Sequence, residues 1–200
     1  MMFVFLNKMF NIFKRLKLYV FSKEFTFKRF FNLSLLVFQE RVLKNSRVVG
    51  YPYLVYIDPI NICTLKCPLC PTGQNSKARS RGKMSFDNFK KIIDEIGDYL
   101  YFVGLYNWGE PFLNKDIFKM IKYSKSKKIK TEISTNLMSF NKDMAKELVE
   151  SELDNLIISL DGASQKTVEK YQVGINFEKV FENMELIIKK KKELGKTKPF

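Results

Sequence analysis

At 200 residues the chain is long enough for one domain with a sizeable core, with or without an appendage. It contains no histidine, which excludes the commonest general acid/base and leaves any chemistry to carboxylates, lysines or a cofactor. The net charge of +14 is uneven: residues 1–50 carry ten basic against two acidic side chains, so more than half of the excess sits in the first quarter.

Within residues 1–50 the longest apolar run, Met1 to Leu6, falls far short of the roughly 20 residues that cross a bilayer. No small-residue cleavage site follows it, as a signal peptide requires. Phe3, Leu6, Phe10 and Phe13 recur at helical spacing among Lys8, Lys14, Arg15 and Lys17, which predicts an amphipathic basic helix. Phe30, Leu33, Leu36 or Val37, and Val42 predict a second. Two readings of this basic helical extension stand: a peripheral membrane contact drawn to anionic lipid, or a helical layer packed on the main domain with a solvated basic face. No recognition motif accompanies the charge, so no nucleic-acid partner is expected.

From residue 51 to residue 200 the pattern becomes strand, loop, helix. Leu54 to Ile57 is a short continuous apolar run, as in a buried parallel strand. Ser85 is an N-cap, with Asp87 in the first turn, for a helix that carries Phe86, Phe89, Ile92, Ile93 and Ile96 on one face. Phe102 to Tyr106 predicts a second strand, leading into Asn107-Trp108-Gly109-Glu110-Pro111, and Asn114 and Asp116 open the next helix. Ile129 to Ser134 is the third strand, ending in Thr135-Asn136, and Asn141 caps the helix after it. Leu156 to Leu160 is the fourth, ending in Asp161-Gly162. Phe177 to Ile188 begins a last long helix that closes on Lys189 to Lys192. Four strand-helix units in succession predict an α/β fold with a parallel sheet. In such folds ligands bind at the C-terminal ends of the strands, where the cysteines, Gly109-Glu110, Ser134 to Asn136 and Ser159 to Asp161 all fall.

All three cysteines, Cys63, Cys67 and Cys70, lie within eight residues just after the first strand. An odd number of thiols on one loop argues against a disulfide framework and for a reducing compartment, so a cytoplasmic location is expected. Three clustered thiols suggest a soft metal. Structural zinc needs a fourth ligand, usually Cys or His, and the sequence holds neither, which disfavours it. A cubane iron-sulfur cluster can instead be held by three thiolates with one iron left open. Gly109-Glu110-Pro111 taken alone is a strand-to-helix turn, and Ser134, Asn136, Ser159 and Asp161 taken singly are caps or turn formers.

Together these residues carry a family resemblance. Cys63-x3-Cys67-x2-Cys70 after a first strand resembles the cluster motif of the radical S-adenosylmethionine (SAM) superfamily, and the likeness runs from about Tyr51 to the C-terminus. Tyr56-Ile57-Asp58-Pro59-Ile60-Asn61-Ile62-Cys63 and Ile158-Ser159-Leu160-Asp161-Gly162-Ala163 are similar to the subgroup that carries a SPASM domain. The resemblance implies a partial parallel TIM-type barrel, about four βα units of an expected six, behind an N-terminal helical extension. It implies a [4Fe-4S] cluster on Cys63, Cys67 and Cys70, SAM on the open iron, and an external electron donor such as flavodoxin or ferredoxin. Gly109, Glu110 and Pro111 would line the methionine end of SAM, with the Glu110 carboxylate accepting from its ammonium. Ser134, Asn136, Ser159 and Asp161 would reach toward its ribose or methionine moiety. Reductive cleavage of SAM would then give a 5′-deoxyadenosyl radical that takes hydrogen from a peptide, sugar or small molecule; the alternative is a non-catalytic cluster- or SAM-binding remnant.

The sequence departs from the family pattern at several points. Leu69 replaces an aromatic residue against the adenine, Trp108 replaces a glycine or glutamine, with Asn107 placed to supply the amide, and Tyr171-Gln172 replaces Tyr-Arg, leaving Lys170 or Lys179 to substitute for the arginine. The sequence also stops at Lys198-Pro199-Phe200, where a fifth strand is expected, which predicts a truncated or partial gene product.

Overall fold

A computed structural model of the chain describes residues 19–44, 48–75 and 80–200. The first expected helix, with Phe3 to Phe13, lies outside these residues. Four parallel strands form one sheet in the order β1-β2-β3-β4: β1 Leu54–Tyr56, β2 Phe102–Gly104, β3 Lys130–Thr135 and β4 Asn155–Ile158. Val55 pairs with Val103, Val103 with Thr131, and Ile133 with Leu156. Sequential strands are therefore spatial neighbours, each joined to the next through a helix, as a parallel α/β architecture requires. The strands are one to three residues shorter or shifted relative to the apolar runs.

The helices form where the caps and apolar stripes put them. Ser85 accepts a hydrogen bond from Asn88 N and opens α2, Phe86–Ile96, after α1, Phe27–Phe38. Asn141 accepts from Asp143 N and Met144 N at the start of α4, Lys142–Glu150. Between them α3, Ile117–Ser126, begins at Asp116, whose side chain makes no cap bond. Asn114 takes that role: its Oδ1 accepts from Asp116 N at 3.0 Å while its Nδ2 donates to Pro59 O and Met84 O. A short α5, Gln165–Val168, with a Ser164/Thr167 capping box, escapes the apolar-period reading because four residues show no period. The long α6, Phe177–Glu193, ends on Lys190, Lys191 and Lys192. Phe89, Val103, Leu105, Ile121, Ile133, Leu148 and Val180 fill the core between sheet and helices. Past α6, Phe200 lies along β4: its N–H donates to Asp154 O at 2.9 Å and its carbonyl accepts from Leu156 N at 2.8 Å. These bonds continue the parallel ladder.

The extension before β1 is bound to the base of the sheet. Buried Arg29, on α1, donates to the carbonyls of Glu24, Gly97, Lys127 and Lys128. Gly97 and Lys127 end α2 and α3, so one guanidinium meets the negative ends of two helices. Asn32 exchanges two hydrogen bonds with the backbone of Tyr51, and the Tyr51 ring stacks on Tyr99 at 4.1 Å. The solvent side of α1 differs from the basic face expected. Phe27 is 84% exposed and Phe31 72% exposed, and Val42, expected on the apolar stripe, is exposed in the π turn Gln39–Leu43.

Candidate active site

The cysteine loop leaves β1 over the C-terminal end of the sheet. Two features close it tightly: Lys66 N donates to Val173 O, and a Cβ on Gly73 would stand 2.5 Å from the backbone of Cys67, so the loop returns on itself at a residue without a side chain. The three thiols are free and half-buried. Burial pushes the Cys63 thiol up, with the nearby Glu110 and Cys70 adding to the shift; Cys67 is raised first by burial and then by Cys63 and Cys70. Three thiols on one loop, with no histidine and no fourth cysteine in the chain, are the donor set of a cubane in which each thiolate binds a different iron.

The loop after β2 packs closely against the lead-in of the cysteine loop. A Cβ on Gly109 would lie 1.8 Å from Ile60 O, so this glycine permits a close approach between two backbone segments of the protein itself. The neighbouring Glu110 N donates to Ile62 O at 2.9 Å, stitching the β2 loop to the lead-in of the cysteines. The Glu110 carboxylate is 1% exposed and turned inward: Oε1 accepts from Thr135 Oγ1 at 2.7 Å and Phe112 N at 3.2 Å, and Oε2 from Asn136 N at 2.9 Å. Burial without a cationic partner raises its pKa, and these donors pull against that. Pro111 is buried at the start of a 3-10 turn, whereas Asn107 and Trp108 are exposed at the crest.

The end of β3 joins this network to the sulfur. Asn136 Nδ2 donates to Cys63 Sγ at 3.4 Å, and its Oδ1 accepts from Met138 N at 2.9 Å. Ser134, on the sheet face away from the helices, shares a 2.9 Å hydrogen bond with Ser159 at the end of β4. Gln172, buried where the arginine was expected, donates to Ser159 O and accepts from Asp161 N, both at 2.9 Å, and so holds the β4 loop by its backbone. Asp161 itself is exposed, as are Lys170 and Lys179, and Leu69 projects from the cysteine loop at 77% exposure. Six of the expected residues thus fall into two clusters, Cys63–Asn136–Glu110 with Gly109, and Ser134–Ser159.

A matching family model covers residues 57–197, described as the radical SAM superfamily. The chain belongs to that superfamily. Radical SAM proteins use a [4Fe-4S] cluster and SAM, the two cofactors that the motifs implied. This radical SAM chain is 32% identical over 110 residues to the Fe-coproporphyrin III synthase of Methanosarcina barkeri, an alignment covering 55% of this chain and 27% of the synthase. It is 22% identical over 131 residues to the PqqA peptide cyclase of Bradyrhizobium diazoefficiens, covering 66% and 34%. The crystal structure of Streptococcus suis SuiB bound to S-adenosylmethionine shares the fold with a TM-score of 0.60, at 23% identity over 84% of this chain and 37% of SuiB. The chain spans about a third of the length of these relatives.

A third polar cluster of this radical SAM fold lies outside the sequence motifs. On the face of the sheet away from the helices, Tyr106 Oη and Asn155 Nδ2 both donate to Glu132 at 2.8 Å, and the Tyr56 ring lies beside Phe102 and Tyr106. The signal was available in the strand period: Lys130, Glu132 and Ser134 share one face of β3, so that face is not core.

Proposed function

We propose that this chain supplies the cofactor-binding part of a radical SAM enzyme, with Cys63, Cys67 and Cys70 holding a [4Fe-4S] cluster and SAM on its open iron. The observation that carries this reading is the convergence of the β2-loop and β3-end motifs on Cys63 through Glu110 and Asn136. Cys63, Cys67 and Cys70 would hold the cluster, and with an electron from a flavodoxin- or ferredoxin-type donor the bound cofactors would supply the reductive cleavage of SAM that starts hydrogen abstraction from substrate. The chain's own groups orient the cofactors. Asn107 and the exposed Asp161 stand at the loop crests, and the Ser134–Ser159 pair lies at the sheet edge, where each hydroxyl retains capacity for a further hydrogen bond. The substrate is a peptide, sugar or small molecule.

Anaerobic reconstitution tests this directly. The 200-residue chain should take up about four irons with an electron paramagnetic resonance signal that changes on adding SAM, and Cys63→Ala should lose it. Retention of zinc alone would overturn the reading. Cluster assembly without 5′-deoxyadenosine under reduction would identify a non-catalytic remnant. The reading places the chain in the cytoplasm, where its thiols stay reduced. The outward Phe27 and Phe31 beside Lys23 and Lys28, together with the basic first 18 residues, support contact with an anionic membrane surface. Flotation with phosphatidylglycerol vesicles should fall in a Phe27→Ser/Phe31→Ser variant; equal flotation excludes that contact.

A further inference from the structure

The geometry points to Asn136 as a positioning residue that sets the reduction potential of a cluster bound at Cys63, by donating an N–H···S hydrogen bond to the ligating sulfur. This rests on the cluster reading above and adds to it a role for Asn136 toward the ligating sulfur.

The direction of the Asn136 amide is determined by its partners. Its oxygen accepts from Met138 N, so the group facing Cys63 Sγ must be the NH₂, which can only donate. Three contacts keep it there. Glu110 Oε2 accepts from Asn136 N, Glu110 Oε1 accepts from Thr135 Oγ1, and Thr135 Oγ1 accepts from Leu137 N at 2.9 Å. From the far side Asn183 Nδ2, on α6, donates to Leu137 O at 2.9 Å, where Leu137 has a φ of +58° and turns the chain sharply. Asn136 is 6% exposed, so water does not compete for the bond. The backbone N–H of Leu65 also points at Cys63 Sγ, at 3.4 Å, which gives this sulfur two donors.

The physical effect has a definite sign. Reduction adds one electron to a cluster and raises the negative charge on its sulfurs, so an N–H donor stabilises the reduced form more than the oxidised form. Asn136 therefore raises the potential, and Glu110 acts behind it by holding the turn. The buried carboxylate at the β2 loop is explained on the same terms: its donors belong to the support of Asn136.

The test is a potentiometric titration of the reconstituted cluster, followed by electron paramagnetic resonance without substrate. Asn136→Asp keeps an acceptor for Met138 N and replaces the donor with a carboxylate. It should lower the reduction equilibrium constant at least tenfold, about 59 mV for one electron, and Asn136→Ala should lower it less. Iron content near that of the unsubstituted chain, with shifted Fe–S stretches in resonance Raman, would support the assignment. Unchanged potentials in both variants overturn it. Loss of the cluster from both, with retention in the unsubstituted chain, also overturns it, because Asn136 would then only hold the loop. Failure of the unsubstituted chain to bind four irons overturns the cluster reading itself, and the iron count separates the two failures.

Discussion

The two ends of the parallel sheet each bury one carboxylate, and they treat it in opposite ways. At the base, Asp154 receives Lys125 Nζ at 2.5 Å, Lys198 Nζ, and Thr131 N at 2.8 Å. Burial alone would raise its pKa, yet the two lysines and the backbone donor hold it below the usual carboxylate range. At the mouth, Glu110 meets only neutral donors, and its pKa is raised. The base uses charge pairing to lock β3, β4 and the segment beyond α6 together. The mouth holds its carboxylate on neutral donors from the end of β3 and the 3-10 turn, at a desolvation cost. Structural sites favour a partner that neutralises a buried charge; functional sites retain groups whose environment does not minimise their own energy.

This contrast can be broken by substitution. Asp154→Asn should cost about 3–5 kcal/mol, the usual loss when one member of a buried ion pair is removed, read from urea denaturation. Glu110→Gln should cost less, about 2 kcal/mol, because relief of the buried charge partly offsets the donor it turns against Thr135 or Asn136. If the Gln variant loses as much as the Asn variant, the two ends do not differ in kind. The smallest effect lies in the pH dependence. Asp154, depressed in the folded state, contributes stability above about pH 3.9, its ordinary value, and loses it as pH falls through the folded value. Glu110, raised in the folded state, does the reverse: stability rises as pH falls from its folded value to about pH 4.3. Denaturation of the parent and both variants across the acid range should show opposite slopes removed by the two substitutions; parallel curves would refute the assignment.

Much of the fold was legible in the residues. The helix caps Ser85 and Asn141 act as their chemistry predicts because a cap is a local bond between a side chain and an N–H two or three residues on. The four strands followed from apolar runs between turn formers. The bounds of β2 and β4 were not legible, since they depend on which neighbour supplies the hydrogen bonds. Gly109 was read as a residue that permits close backbone approach, and the segment that approaches it is Ile60. Gln172 was read as a missing arginine, and it clamps the Ser159–Asp161 backbone. Neither partner lies near in sequence, so no local pattern could name it.

The sequence by itself determined the chemistry: three thiols on one loop, no histidine, and motifs at the ends of four strands, because ligand type and spacing are properties of the chain. Only the tertiary structure decided what those motifs touch. Glu110 and Asn136 are 26 residues apart, and Asn136 and Cys63 are 73 apart. They meet because adjacent parallel strands carry their following loops to the same edge.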